Sequence, residues 1–455
     1  MLSIIRWSVS ASGIICILLF LAASVFSSAP DARLRIIVET DAGGDPDDEQ
    51  SLVRFLVCAN EFDIEGIIAN RPVARDRENK NPVRDGLGIV RAMVKAYGEC
   101  QPNLIKHDAR FPSAERLLSR TVGGYDDTED GVNLIIRAVD ADDPRPVWFC
   151  NWGTDKGSAV SCLKRALDRV LRERGAAGYA KFKQRIHLSS ADKFGAHTGS
   201  IEPPFPIWVF ASQPEMDGKR WYHRFSVITA TAGGFDIERD VRHNHGPLGA
   251  MYPVNTNLRQ KEGDTMYFLY LLPTGMNDPM HPAWGSWGGR YGPHDEFPGK
   301  PYYWANLKDT WQGTTSRDNT LARWAAALQN DFAARMNWCV ADDFKKANHP
   351  PKPVLNGDAT RAILTLRATP GEHVELSSKG STDPDGDALD VRWFIYPEAG
   401  VHSEGASLSS ETGESIRVTL PADQPTATVH VILALTDHGT PALTRYRRAV
   451  IAVGQ

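Results

Sequence analysis

Val38-Glu39-Thr40-Asp41-Ala42-Gly43-Gly44-Asp45-Pro46-Asp47-Asp48-Glu49-Gln50-Ser51-Leu52 is the stretch that decides the fold. The apolar run before it, Leu34, Ile36, Ile37 and Val38, reads as a buried strand. After it, Leu52, Phe55, Leu56 and Ala59 recur at helical spacing within Ser51–Asn60. Two glycines and a proline in the turn permit tight geometry and close approach of other groups. Asp41, Asp45, Asp47 and Asp48 therefore gather at the carboxyl end of a strand and the start of a helix. In an open α/β sheet that edge is where ligands bind.

Capping the helix needs one carboxylate, and a solvated turn is the plain alternative. Crowding four raises mutual repulsion unless a cation absorbs it. Ligands that are all oxygen suit calcium or magnesium, so the turn is expected to hold a divalent metal.

These residues carry a likeness. The strand, Thr40-Asp41, the glycines, Asp47-Asp48 and the helix resemble the nucleoside hydrolases, whose first strand ends in an Asp-x-Asp-Pro-Gly-x-Asp-Asp motif. The Gly-Gly-Asp-Pro-Asp-Asp-Glu-Gln core resembles more closely a family of secreted bacterial proteins, sometimes labelled cellulose-binding. Its members join a nucleoside-hydrolase-like domain to a small β domain. The resemblance implies that Asp41 ligates calcium and takes a proton from the attacking water. It implies that Asp48 ligates calcium and that Asp47 binds sugar hydroxyls. Two extra residues separate Asp41 from the Asp47-Asp48 pair, and Asp45 sits at the nucleoside-hydrolase spacing, so Asp45 competes for one of those roles.

Residues 1–29 begin with Arg6, continue through the apolar Ile14–Phe26 and end in small residues before Pro30. That pattern predicts a signal peptide, hence a secreted or periplasmic protein without stable membrane insertion after cleavage. The later cysteines, Cys58, Cys100, Cys150, Cys162 and Cys339, show no zinc spacing and no disulfide framework. Net charge is −5, with no block of lysine or arginine, which argues against a nucleic-acid partner.

Residues 30–347 read as an α/β domain with a mainly parallel sheet. Phe62–Ala69 and Arg145–Cys150 are strands, and Gly86–Tyr97, Asp130–Val139 and Lys156–Arg174 are helices. Phe205–Ala211 and Met266–Leu272 are expected as further strands, and Asn319–Lys346 as one or two closing helices. Asn70 closes the second strand, where it meets a sugar or caps the loop. His243-Asn244-His245 reads as a solvated loop in preference to a metal pair. By the resemblance, Thr154 lends a backbone carbonyl to calcium and Asp278, followed by Pro279, closes the calcium shell. The family histidine is replaced by Asn277, which cannot donate a proton as a general acid. Asn277, Trp284, Trp287 and Arg290 then form a candidate sugar platform, with a packed aromatic loop as the alternative. His281 or His294 is the candidate replacement acid.

Asn348-His349-Pro350-Pro351-Lys352-Pro353 is a stiff linker. Short alternating runs over residues 354–455 predict a small all-β, immunoglobulin-like sandwich. Asp383-Pro384-Asp385-Gly386-Asp387 suits a hairpin turn, or a calcium loop of D-x-D-G-D form. The expected function is calcium-dependent hydrolysis of N- or O-glycosidic bonds in a sugar-containing small molecule or glycan. The alternative is a glycan-binding protein on the same fold without turnover.

Overall fold

The computed structural model describes residues 33–153, 161–190, 205–210, 225, 228–254, 259–293 and 304–454. The residues read as a signal peptide, together with Thr154 and His294, lie outside the described residues.

β1 (Leu34–Thr40), β2 (Phe62–Ala69), β3 (Thr121–Gly123), β4 (Val147–Asn151), β5 (Ile186–Ser190) and β6 (Trp208–Phe210) pair in parallel in the order β3-β2-β1-β4-β5-β6. Two short strands, β7 (Tyr291–Pro293) and β8 (Trp304–Asn306), extend the β6 edge to eight strands, with β7 antiparallel to β8, and β9 (Asp309–Trp311) and β10 (Thr314–Ser316) form a separate antiparallel hairpin. Strands of a sheet covered on both faces are apolar almost throughout, and β1 is buried from Arg35 onward. Its side chains alternate between two cores, Ile36 and Val38 on one face and Ile37 on the other.

Between β1 and β4 the strand order reverses. This is the switch point of an open α/β sheet, where strand ends splay and leave a crevice. The carboxyl end of β1 at Thr40 lies beside that of β4, since Glu39 pairs with Asn151.

The helices of this region are α1 (Asp47–Val57), α2 (Gly86–His107), α3 (Ala114–Ser119), α4 (Asp130–Asp140), α5 (Cys162–Lys183), α6 (Gly246–Ala250), α7 (Thr265–Leu269), α8 (Asn319–Ala322) and α9 (Ala325–Trp338). One expectation is corrected here. Met266–Leu272 is not a strand: it forms α7 and the turn after it, with the Tyr270 N–H bonded to the Met266 carbonyl at 3.0 Å. All seven residues are buried, so no polar alternation marks a period, and a short apolar run alone does not distinguish strand from helix. The helix expected from Lys156 is described from Cys162, and the strand expected over Phe205–Ala211 spans three residues.

A second β region packs two sheets face to face. One has the order β11 (Leu364–Ala368), β17 (Thr444–Val453), β16 (Ala427–Asp437), β13 (Leu389–Ile395); the other is β12 (His373–Ser377), β15 (Ser415–Thr419), β14 (Ser407–Leu408). All these pairs are antiparallel except β11 with β17. Trp393, Leu376, Ile416, Leu433 and Ile451 fill the space between the sheets. The outer face of β16 and β17 presents Ile432, Ala434 and Tyr446 to the α/β core, so the two regions share one continuous apolar cluster.

Candidate metal centre

The turn that leaves β1 closes on itself through the Gly44 N–H and the Asp41 carbonyl at 3.0 Å. Gly43 stands at φ +95°, a conformation that favours glycine, and a Cβ there would press on Ala74 at 3.2 Å. The turn delivers Asp47, Asp48 and Glu49 to the first turn of α1, where the helix N-terminus favours carboxylates. All three are buried. Asp48 Oδ1 accepts from the Thr40 hydroxyl and from the Asp41 N–H at 3.1 Å. Asp41 is fixed by Arg71, whose Nη2 reaches Oδ2 at 2.9 Å and whose Nε reaches the Asp41 carbonyl at 3.1 Å. Its other oxygen lies over Gly153, where an added Cβ would sit 2.6 Å away. A side chain there would displace the Asp41 carboxylate. Asn70 donates to the Gly153 carbonyl at 2.8 Å and so ties the ends of β2 and β4 together.

A third carboxylate arrives from a distant segment. The polar residues of α1 grip residues 261–265. Gln50 Oε1 accepts from the N–H groups of Lys261 at 2.7 Å and Glu262 at 3.0 Å. The Ser51 hydroxyl accepts from Asp264 N–H at 3.3 Å, and Arg54 clasps Glu262 at 2.6 Å and 3.0 Å. Asp264 thereby stands before the first turn of α7 and faces Asp47 and Asp48. Oxygen atoms of Asp47, Asp48 and Asp264 all lie within 4.8 Å of one another.

Both oxygens of Asp264 are buried and, among the described residues, have no hydrogen-bond partner. An ionised carboxylate in that state costs several kcal/mol. Burial pushes Asp264 and Asp48 well above the usual carboxylate range, and the neighbouring acids push both further. Burial likewise raises Asp47 to about 7, against the pull of Lys261. Glu49 is raised to about 7 by burial, opposed by its hydrogen bond from Asn79. The Lys261 ammonium bonds Asp45 and lies 3.7 Å from Asp47, which offsets part of the negative charge but leaves Asp264 unpartnered. Oxygen donors alone, deeply buried and starved of positive charge, fit a hard divalent cation and not a thiolate- or imidazole-bound metal.

Asp264 is the carboxylate that the sequence reading missed. Asp278, expected to close the metal shell, sits elsewhere: its oxygens take the Met280 N–H at 2.9 Å and the His281 ring at 2.8 Å. Asn277 folds inward, donating to the Tyr270 carbonyl at 2.9 Å and accepting from Thr274. The expected sugar platform is largely interior. Trp287 is 1 % exposed and packs edge-on to Tyr446, with the Arg445 guanidinium over its ring. Arg290 is committed to Asp309 at 2.7 Å and the Lys308 carbonyl at 2.6 Å. Trp284, half-buried, stacks on His281 with ring centres 4.0 Å apart and leans on His430 of β16. This loop binds one half of the molecule to the other because its aromatic area is worth more buried than exposed. The one signal in the sequence that points to Asp264 is the set Gln50, Ser51 and Arg54. These are polar residues on a helix with no exposed face, and they need partners.

Residues 35–291 match the model of the family described as cellulose-binding Sde182, nucleoside hydrolase-like domain. Residues 373–453 match that of the C-terminal domain of cellulose-binding protein Sde0182. A solved structure is similar over 93 % of this chain and 100 % of its own, with 32 % identity and a TM-score of 0.72. It is a nucleoside hydrolase-related hypothetical protein from Saccharophagus degradans, described as associated with carbohydrate metabolism. No curated protein matches the chain. Among the described residues, no helix is long and apolar enough to cross a membrane.

Proposed function

The chain belongs to the cellulose-binding Sde182 family with its nucleoside hydrolase-like domain, and on that premise we propose that it is an exported, calcium-dependent hydrolase of glycosidic bonds. The observation that carries this reading is Asp264, whose two buried oxygens meet Asp47 and Asp48 with no hydrogen-bond donor among the described residues. Asp47, Asp48 and Asp264 would hold the ion. When bound, calcium supplies positive charge that acidifies water and orients oxygen ligands.

The remaining work falls to the side chains. Asp41 accepts the proton of the attacking water; Arg71 holds one of its oxygens at 2.9 Å and so fixes the direction in which the other points. Asp47, at the mouth of α1, accepts from sugar hydroxyls and favours the positive charge that develops at the anomeric carbon. Gly153 leaves the room beside Asp41 that a side chain would fill. The substrate class is a sugar-containing small molecule or a glycan, cut at an N- or O-glycosidic bond.

A second reading, glycan binding without turnover, draws on the family's description and on Lys261, which already partners Asp45 beside the carboxylates. One variant separates the two. Reducing-sugar release from nucleosides, aryl ribosides, aryl glucosides and cello-oligosaccharides is measured with and without chelator. Asp41→Asn is expected to lower chelator-sensitive release by about 10²–10⁴-fold while calcium binding persists, the range for removing a general base. Glycan binding that survives with no release from any substrate, in wild type and variant alike, establishes the second reading.

A further inference from the structure

We infer a second ligand site, for a sugar that carries a carboxylate, in the cleft between the α/β region and the β region. The cleft encloses about 590 Å³, a volume typical of small-molecule sites, which favour the junctions of domains. Asn60 and Glu61, just before β2, line one side of it, and Arg445, Tyr446 and Arg447 of β17 line another. The metal centre gathers at the carboxyl ends of the strands, so this cleft lies at the opposite edge of the sheet.

Positive charge outnumbers negative there. Arg110, Arg335, Arg361, Arg445, Arg447 and Lys352 line the cleft, against Glu61 and Asp108. Three guanidinium groups converge on Glu61: Arg361 at 2.9 Å, Arg335 at 3.1 Å and Arg110 at 3.6 Å. Burial pushes the Glu61 carboxyl up, but Arg361, Arg335 and Arg110 outweigh it and hold it well below the usual carboxylate range. Asp108 answers Arg110 at 2.6 Å, and Asp331 of α9 is shared by Arg335 at 2.7 Å and Arg445 at 2.6 Å. Four arginines thus meet three carboxylates, and the network keeps one positive charge. Lys352 adds another, being exposed and without an ion pair among the described residues. Arg447 is 1 % exposed: its Nη atoms bond Asp358, while its Nε is buried with no hydrogen-bond partner among the described residues.

An excess of guanidinium in a partly enclosed space attracts an anion, and the planar fork of arginine matches a carboxylate in two bonds. Arg361 and Arg110 stand at the rim, each with its side chain 40 % exposed. Arg361 gives Nη1 to Glu61 and makes no other side-chain hydrogen bond among the described residues, so most of its fork is open to a ligand. The cleft is far roomier than an inorganic anion needs, and the hydroxyls of Thr360 and Thr382 in its wall suit a polyol. The carboxylate is argued from the cleft alone; the sugar rests on the proposed function, which makes glycans the substrate class.

The test is isothermal titration of the full mature chain with glucuronate, glucose, acetate and phosphate. Glucuronate is expected to fill one site per chain, with an affinity that falls as salt rises, and glucose is expected not to fill it. Arg361→Gln and Arg110→Gln, both at the rim, are each expected to weaken glucuronate by about 10-fold or more, the range for losing a charged hydrogen bond. Circular dichroism checks that both variants fold. Chelator and Asp264→Asn are expected to leave glucuronate binding unchanged, so this site is read apart from the metal centre and from turnover. Glucuronate binding that vanishes with Asp264→Asn, or that ignores both arginine variants, overturns the inference, as does no binding at all. Acetate or phosphate bound as tightly as glucuronate overturns the assignment to a sugar.

Discussion

Asp47, Asp48 and Asp264 crowd three buried carboxylates into one space, whereas Asp278, Arg290 and Trp287 each rest on a partner inside the protein. The turn after β1 and the loop after α7 draw on the same residue types: aspartate, glycine, proline. Their difference lies in what the fold supplies to them. In the loop, Asp309 meets Arg290, Arg323 and the Tyr396 hydroxyl, so its charge is answered from within. Beside the turn, Asp264 has no hydrogen-bond partner among the described residues. Polar residues mark a ligand site when folding buries them without completing them.

The largest expected effect lies in the loop. Trp287→Ala removes a fully buried ring from the contact between α/β core and β sandwich, and costs about 3–5 kcal/mol of stability, the usual range for emptying an aromatic position. Urea unfolding measures it. Calcium affinity of the folded variant is expected to match wild type, since Trp287 is no part of the metal centre. A Trp287→Ala protein that is stable but loses sugar binding would return that residue to the substrate platform and erase the contrast.

Next comes the pair Asp264→Asn and Asp278→Asn. The first is expected to weaken calcium binding at the triad by at least about 100-fold, the upper range for losing a metal-site group. The second leaves that affinity within about 2-fold, because Asp278 serves His281 and a backbone N–H. Equilibrium dialysis reads both. Equal losses would mean that Asp278 swings into the shell.

This pair also marks how far the sequence could be read. Asp41, Asp47 and Asp48 were visible because one turn brings them together, and local chemistry alone makes four neighbouring aspartates costly. The parallel sheet was visible in the buried runs of β1, β2 and β4 and the amphipathic helices between them. Asp264 was not, since it reaches the site through Gln50 and Ser51, more than two hundred residues away in the chain. The buried helix α7 hid it further: an apolar stretch without polar alternation passes for a strand, which placed the strand-end carboxylate at Asp278. Trp287 and Arg290 misled for a related reason. Trp287 packs on Tyr446 of the β region and Arg290 pairs with Asp309, contacts that leave no mark around them in the loop's sequence.

The smallest effect separates the two regions by the sign of their pH dependence. His430, on β16 behind the loop, is pushed down to about 3 by burial first, then by Arg448 and by the charge of His281. Its usual pKa is near 6.5, so the unfolded chain protonates it well before the folded one does. Stability present above about pH 6.5 is therefore lost as pH falls towards 3, by up to about 1.4 kcal/mol per unit. Asp47 and Glu49 act oppositely. Raised to about 7, they hold protons that the unfolded chain has released, so their contribution is complete at low pH and is lost as pH rises through 7. Calcium replaces those protons and removes the second slope without touching the first. Urea midpoints in chelator are thus expected to show both slopes, and His430→Gln, whose amide oxygen still accepts from Arg448, a shallower loss below pH 6.5, since burial also pushes His187 down to about 4. With calcium, wild type is expected to keep the low-pH slope and to lose the carboxylate one. If calcium leaves the pH profile unchanged, protons and not a metal satisfy the buried carboxylates, and the turn after β1 joins the loop after α7 as structure.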